Sequence, residues 1–345
     1  TFESIFTTID SSIVGIEEPF GQRNVVIPAE IVCWLSKGDR KVVTITDIQA
    51  EAFANTMSDN GVYNVTISDG IINIGNGAFR NCTALNSVTL GADVRSIGVE
   101  VFDGCDILEN IYTPQRNVRY SSVNGVLYNK NKSLLMIYPV AKLWASYTVD
   151  SECKELSSYA FANNEALSSL NLVNTKIMNR NAIINCPVLT TIIAPNLELL
   201  YPSAITGTKF AENKADVVLG KVVYKKTSAG EIVEIDENIK TIAPEAFVGN
   251  ESIKKLVVRG YNFRMIGGNA FKNCSTLENI EIYNLNDVVG LGAGALDGVN
   301  TNLSIKVPQK YLNTYKTETT RGWTSFANNI TTLDKLSVKY VVGDK

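Results

Sequence analysis

The chain contains no histidine. Without imidazole there is no Ser-His-Asp triad, no Cys-His dyad and no His-ligated zinc or iron site. Cysteine is sparse, at six residues in 345, and no pair is spaced Cys-x-x-Cys. A zinc ribbon and a thioredoxin-type motif are therefore excluded. No Gly-rich phosphate loop or EF-hand-like Asp/Asn spacing occurs, so neither a cofactor nor a metal is expected. No apolar run approaches the roughly 18 residues of a membrane span. The N-terminus, TFESIFTTIDSS, has no basic segment followed by an apolar stretch, so it is not a signal peptide. It fits a cytosolic chain or a mature one whose signal has been removed. Charge of either sign is modest, with a net of −3, which argues against a nucleic-acid partner.

What the sequence does have is a repeat. A tetrad of the form Ala-Phe-x-Asn recurs along it. The copies are Ala52-Phe53-Ala54-Asn55, Ala78-Phe79-Arg80-Asn81, Val101-Phe102-Asp103-Gly104 and Ala160-Phe161-Ala162-Asn163. They continue as Ala182-Ile183-Ile184-Asn185, Ala246-Phe247-Val248-Gly249, Ala270-Phe271-Lys272-Asn273 and Ala295-Leu296-Asp297-Gly298. Taking the Ala position as anchor, there are eight copies, spaced 26, 23, 59, 22, 64, 24 and 25 residues apart. Apolar residues keep step with it. Ile48, Ile74, Ile97, Leu156, Met178, Ile242, Ile266 and Leu291 stand four before the anchors. Val88, Ile111, Leu170, Ile192, Leu256, Ile280 and Ile305 stand ten after.

A repeat of this length predicts a solenoid. Each unit opens with a short alternating strand such as Ser87-Val88-Thr89-Leu90, turns, and runs through a second extended piece to an Ile-Gly pair. The tetrad is expected to form a short helical turn on the opposite side. Phe is the inner plug. Gly75, Gly98 and Gly267 suit a tight or positive-φ turn. One unit cannot bury its apolar face alone, so the units stack and their strands form one parallel sheet.

The two long spacings each follow a proline thirteen after an anchor, Pro114 and Pro195. Each contains a hairpin-like segment. In the first, 124–128 turns through 129–132 into 134–138; in the second, 219–224 turns through 225–230 into 231–235. The expected organisation is an N-terminal cap over 1–44, a solenoid over 45–307 with hairpin insertions near 115–140 and 208–235, and a C-terminal cap over 308–345. Residues 309–330 are predicted helical, with Tyr311, Leu312, Tyr315, Trp323, Phe326 and Ile330 as the apolar set.

Two stretches carry a family resemblance most fully: Ile74-Gly75-Asn76-Gly77-Ala78-Phe79-Arg80-Asn81-Cys82 and Ile266-Gly267-Gly268-Asn269-Ala270-Phe271-Lys272-Asn273-Cys274. The chain resembles the BspA-like leucine-rich repeat proteins of gut and oral Bacteroidetes over about residues 45–307. The resemblance implies an α/β solenoid of leucine-rich-repeat type: a right-handed curved array with a parallel sheet on its concave face, short helical turns on its convex face and capped ends. It also implies a secreted or cell-surface protein that acts as an adhesin.

Cys82, Cys105, Cys186 and Cys274 stand four after their anchors, the register of a buried ladder of small hydrophobes. A bridge between Cys82 and Cys105, on successive coils, is the minor alternative. The carboxylates of Glu17, Glu18, Asp103, Glu231, Glu234, Asp236 and Glu237 read as solvated turns. Outward strand positions are the candidate site. Eleven after the anchors stand Thr89, Tyr112, Asn171, Ile193, Val257, Glu281 and Lys306; nine after, Lys255 and small polar residues; Tyr283 flanks them. Tyr112, Asn171, Ile193, Val257, Lys255, Glu281, Tyr283 and Lys306 are expected to line a binding face. Tyr and apolar residues among Ser and Asn are a mix that protein-binding surfaces use. The function expected is non-catalytic binding of a protein or glycan by a monomer. The alternatives are a polysaccharide-acting enzyme with paired carboxylates, as glycoside hydrolysis requires, and a structural spacer.

Overall fold

The computed structural model describes residues 6–9, 11–16, 24–34, 40–58, 63–213, 216–227 and 230–333. The chain divides into two compact units. One comprises Thr1–Ala194 with Ala204–Glu212, the other Pro195–Ser203 with Asn213–Lys345. Each is a β-solenoid of parallel strands.

In the first unit, Asn24–Ile27, Tyr63–Ile67, Leu85–Thr89 and Asn110–Tyr112 pair in parallel on successive coils. The Ile-Gly positions form a second row, Asp47–Ile48, Asn73–Ile74 and Ser96–Ile97. After the first insertion the outward row resumes as a separate sheet, Ser146–Thr148, Ser169–Asn171 and Thr191–Ile193. In the second unit the outward row is Ile232–Ile235, Lys255–Val258, Asn279–Ile282, Ser304–Val307 and Ile330–Thr332.

The core follows the repeat. Val88, Ile111, Leu170, Leu256, Ile280 and Ile305 are buried from the outward strands. Phe53 and Phe79 stack at 5.0 Å between ring centroids, and Phe247 and Phe271 at 4.7 Å. Ile183 and Leu296, which replace Phe, are buried in the same place. A ninth tetrad, Ala204-Ile205-Thr206-Gly207, joins the eight, with Ile205–Thr206 pairing with Ile183–Ile184. Its signals are in the sequence: a spacing of 22 from Ala182, and Leu200 four before the anchor.

The tetrads are not helical. Among the described residues, helix is confined to Lys209–Glu212 and the segment 309–329. Left-handed residues bracket every tetrad, one before the anchor and three after. Examples are Glu51 (φ 59) with Asn55 (φ 61), Tyr159 (φ 58) with Asn163 (φ 58), and Asn269 (φ 55) with Asn273 (φ 60). Two left-handed residues four apart cannot share a right-handed helix. Their backbone bonds run between coils instead. Phe53 N–H donates to Ala78 O at 2.8 Å, Asn55 N–H to Arg80 O at 2.8 Å and Phe271 N–H to Ala295 O at 2.8 Å. This explains why Asn or Gly closes each tetrad, since they enter the left-handed region at least cost. It also explains Phe161–Ala162 and Ile183–Ile184, where the tetrad is itself a parallel strand.

Gly75, Gly98 and Gly267 do not have the positive φ that was one reason to expect glycine there. The neighbouring coil excludes a side chain: a Cβ on Gly75 would lie 2.4 Å from Ala50 N, and one on Gly267 2.4 Å from Pro244 N.

The insertions differ from expectation in part. In the first, Tyr120–Val123, Val126–Asn129 and Leu134–Ile137 form an antiparallel meander whose last strand pairs in parallel with Glu155–Leu156. In the second, Val222–Lys225 pairs with the preceding Val217–Leu219 and not with 231–235. Ile232–Ile235 instead takes the register of the outward row.

The helix predicted over 309–330 is broken. Leu312–Thr317 is α-helical, Gln309–Tyr311, Thr319–Arg321 and Thr324–Asn329 are 3₁₀, and Ile330 begins a strand. Gly322 (φ 80) interrupts the segment where a Cβ would meet Leu291 O at 2.3 Å. Tyr315 and Trp323 are fully buried against the last coil. Val289 N–H donates to Tyr315 Oη at 3.0 Å, and Trp323 Nε1–H to Val289 O at 2.6 Å.

Candidate functional site

Outward side chains in a parallel row lie about 4.8 Å apart along the stack. In the first unit they form an uncharged ladder. Asn64 Nδ2 donates to Asn24 Oδ1 at 3.0 Å, and Ser87 Oγ to Asn64 Oδ1 at 2.7 Å. Tyr112 stands in register with Thr89 and is 44% exposed. Beside it, Asn110 Oδ1 accepts from Lys142 Nζ at 3.2 Å, and that ammonium sits over the Trp144 ring. Burial pulls the Lys142 pKa down, opposed by the charge of Glu109. Asn171 and Ile193 are in register with each other on a different sheet from Tyr112, and Ile193 is half exposed.

In the second unit the structure brings Lys255, Val257, Glu281 and Tyr283 together. Lys255 Nζ and Glu281 Oε1 form an ion pair at 2.8 Å, and Tyr283 Oη donates to Glu281 Oε2 at 3.2 Å. Arg259 lies 5.8 Å from the centre of the Tyr283 ring and pairs with Glu234 at 2.8 Å. Burial, then the Glu281 charge, push the Tyr283 hydroxyl pKa up. The Arg259 hydrogen bond, then its charge, hold the Glu234 carboxyl below the usual range. Lys306 is the register partner of Glu281 on the next strand.

Val257 is not available to a ligand, being only 3% exposed. Glu234 and Glu281 are its register partners, and Lys255 and Arg259 stand two residues to either side. The long stems of these charged residues cover it while their heads stay in water. Arg259 was missed from the sequence. It stands thirteen after anchor Ala246, as Tyr283 does after Ala270. In the sequence that position draws notice where it holds proline and at Tyr283, but not at Arg259.

Of the acidic residues singled out, Asp103 is exposed and Glu231, Glu234, Asp236 and Glu237 are engaged. Glu231 pairs with Lys254 at 2.7 Å, and Glu234 with Arg259. Asp236 accepts from Asn238 N–H, and Glu237 from Tyr261 Oη at 3.4 Å. Glu17 and Glu18 lie outside the described residues. A further carboxylate, unread in the sequence, is more enclosed: Glu198, 12% exposed at its side chain, meets Lys240 at 2.8 Å, Lys221 at 3.4 Å and Arg264 at 3.7 Å. Burial raises its pKa, but Lys240 and Lys221 together outweigh burial and the net shift is downward. Among the described residues no group of His, Cys, Asp and Glu could hold a metal ion, and no helix is long and apolar enough to cross a membrane.

Cys82, Cys105, Cys153, Cys186 and Cys274 are free and buried. The side chain of Cys33 lies outside the described residues. Cys82, Cys105 and Cys274 donate S–H to Phe53 O, Phe79 O and Phe247 O, each at 3.0 Å. Burial pushes all five thiols up, Cys186 to about 11, so none is a ready thiolate at neutral pH.

A family model, BspA type leucine-rich repeat region, matches six copies over residues 43–138, 141–211 and 217–335. No curated protein matches the chain. Among solved structures, a leucine-rich repeat protein from Bacteroides ovatus is 17% identical, with 96% of this chain and 98% of that chain covered and a TM-score of 0.40. A leucine-rich cell surface protein from Faecalibacterium prausnitzii is 18% identical, with 81% and 93% covered and a TM-score of 0.35. The pneumococcal vaccine antigen PcpA is 17% identical, with 94% of each chain covered and a TM-score of 0.31.

Proposed function

The chain belongs to the BspA-type leucine-rich repeat family, and from that premise we propose that it is a secreted or cell-surface interaction protein that binds a protein or glycan without catalysis. The observation that carries this reading is the outward network of Lys255, Glu281, Tyr283, Arg259 and Glu234. Arg and Tyr are the side chains that most often anchor interfaces. Here their geometry is set before any ligand arrives, which lowers the ordering cost of binding. Tyr112, Asn171, Ile193 and Lys306 are further contacts on the same reading, and the protein acts as a monomer. Residues 1–44 and 308–345 are its caps; an end coil without cover would expose apolar surface and strand edges.

The test is a screen against matrix proteins and a glycan array, with the native protein beside a Glu281→Lys, Tyr283→Ala double variant. A ligand bound by the native protein and weakened about tenfold or more in the variant, with unchanged circular dichroism, supports the strand-row site. A ligand bound equally by both overturns it. The absence of any ligand favours the spacer.

A further inference from the structure

One tetrad is missing from the first unit. The coil after Val101-Phe102-Asp103-Gly104 is the one carrying the antiparallel meander. Where a tetrad would stand, it has only Tyr138, Pro139 and Val140. Tyr138 N–H donates to Ala160 O at 2.7 Å, a single isolated bridge. The result is a cleft of about 710 Å³. Ile97, Phe102, Met136 and Val140 are among its apolar lining, and Ala162 is on the far wall.

The ladder elsewhere shows what this cleft lacks. Gly77, Phe79 and Asn81 donate their N–H groups to Val99 O, Val101 O and Asp103 O of the following coil. Glu100, Phe102 and Gly104 occupy the same positions one coil later. Among the described residues, their N–H groups donate to no group of the protein. Three donors spaced two residues apart form one open strand edge along the cleft. Pro139 has no N–H to contribute. The cleft's rim is acidic: Asp103 and Asp106 are exposed along the donor wall, beside Glu100, which pairs with Arg80 at 2.7 Å.

We propose that this cleft binds an extended, basic segment of a partner protein, which continues the ladder from Glu100, Phe102 and Gly104. Main-chain carbonyls of the segment accept from the three N–H groups and hold it, while Tyr138 keeps its bond to Ala160 O. An apolar side chain enters the cleft beside Phe102, and flanking Lys or Arg meets the acidic rim. Strand addition of this kind draws affinity from the backbone and specificity from alternate side chains. The site is separate from the outward strand row, and its test does not involve that row.

The probe is fluorescein-labelled Lys-Asn-Ala-Phe-Lys-Asn-Lys-amide, which carries the tetrad of residues 270–273. Anisotropy reads its binding to the full chain, and residue-level amide exchange reads Glu100, Phe102 and Gly104. The expected result is saturable binding that slows exchange at these three amides about threefold or more. Asp103→Lys with Asp106→Lys is expected to weaken it about tenfold or more. Absence of binding at millimolar peptide overturns the proposal. So does binding that leaves the three amides unchanged, or protection that appears with protein concentration alone, which would assign the cleft to a second copy.

Discussion

The outward rows of the two units share one backbone geometry and carry opposite chemistry. Asn24, Asn64 and Ser87 of the first row are tied by neutral amide and hydroxyl bonds. Glu234, Arg259, Lys255 and Glu281 of the second are tied by ion pairs. Both rows sit over the same inner ladder of Val, Ile and Leu. Inner positions are held to a type because they must fill a coil; outer positions are free to differ, and it is there that one unit can be made to recognise what another ignores.

The largest expected effect tests the half of this comparison that says the interiors are equivalent. Phe79→Ala in the first unit and Phe271→Ala in the second should each cost about 3–5 kcal/mol, read by urea denaturation with probes in both units. A cost confined to one unit would show that the inner plugs are not alike.

Next in size is Glu198, which gives the second unit an acid sensitivity of its own. Glu198→Gln should cost about 1–3 kcal/mol, because the three cations around it lose their counter-charge. Its folded pKa lies below the unfolded value. Its stabilisation is therefore complete above the ordinary carboxylate range and is lost as pH falls through the lowered folded value. Denaturation of native and Glu198→Gln protein as a function of pH should show the difference shrinking toward acid. A constant difference would mean the carboxylate acts through packing alone.

The smallest effect is the most direct contrast. A double-mutant cycle on Lys255 and Glu281 should give a coupling of about 0.5–1 kcal/mol that is much reduced in 1 M NaCl, where charges are screened beyond about 3 Å. The matching cycle on Asn64 and Ser87 should give a similar coupling that salt leaves alone. Equal salt dependence in the two would erase the distinction between the rows.

Much of this was legible in the sequence because a solenoid repeats its constraints. Ile74, Ala78, Phe79 and Cys82 recur in register since each coil must fill the same cross-section, and the buried thiols follow from that register. The tetrad's conformation was not legible. Ala-Phe-Arg-Asn reads as a helical turn until the left-handed residues on both sides and the bonds to the next coil are known. Ala204 is harder to read because Ile205 and Gly207 replace both the Phe and the Asn of the tetrad at once. Val257 alternates with the inward Leu256 and Val258; its burial depends on Lys255, Arg259, Glu234 and Glu281, which converge on it from three strands. The second insertion is ambiguous because Ile232-Val233-Glu234-Ile235 is a short, largely apolar run, a pattern that serves a hairpin arm and a parallel strand equally.

The hidden thiols set a kinetic condition on the making of this protein. Once the coils close, Cys82, Cys105, Cys153, Cys186 and Cys274 are out of reach of any oxidant. Before they close, all are exposed on one flexible thread. Folding under oxidising conditions is therefore a race between coil closure and thiol pairing. Its outcome is kept thereafter: a chain that wins stays reduced for the life of the fold, and one that loses cannot lay Cys82, Cys105, Cys186 and Cys274 beside the Phe carbonyls that receive them.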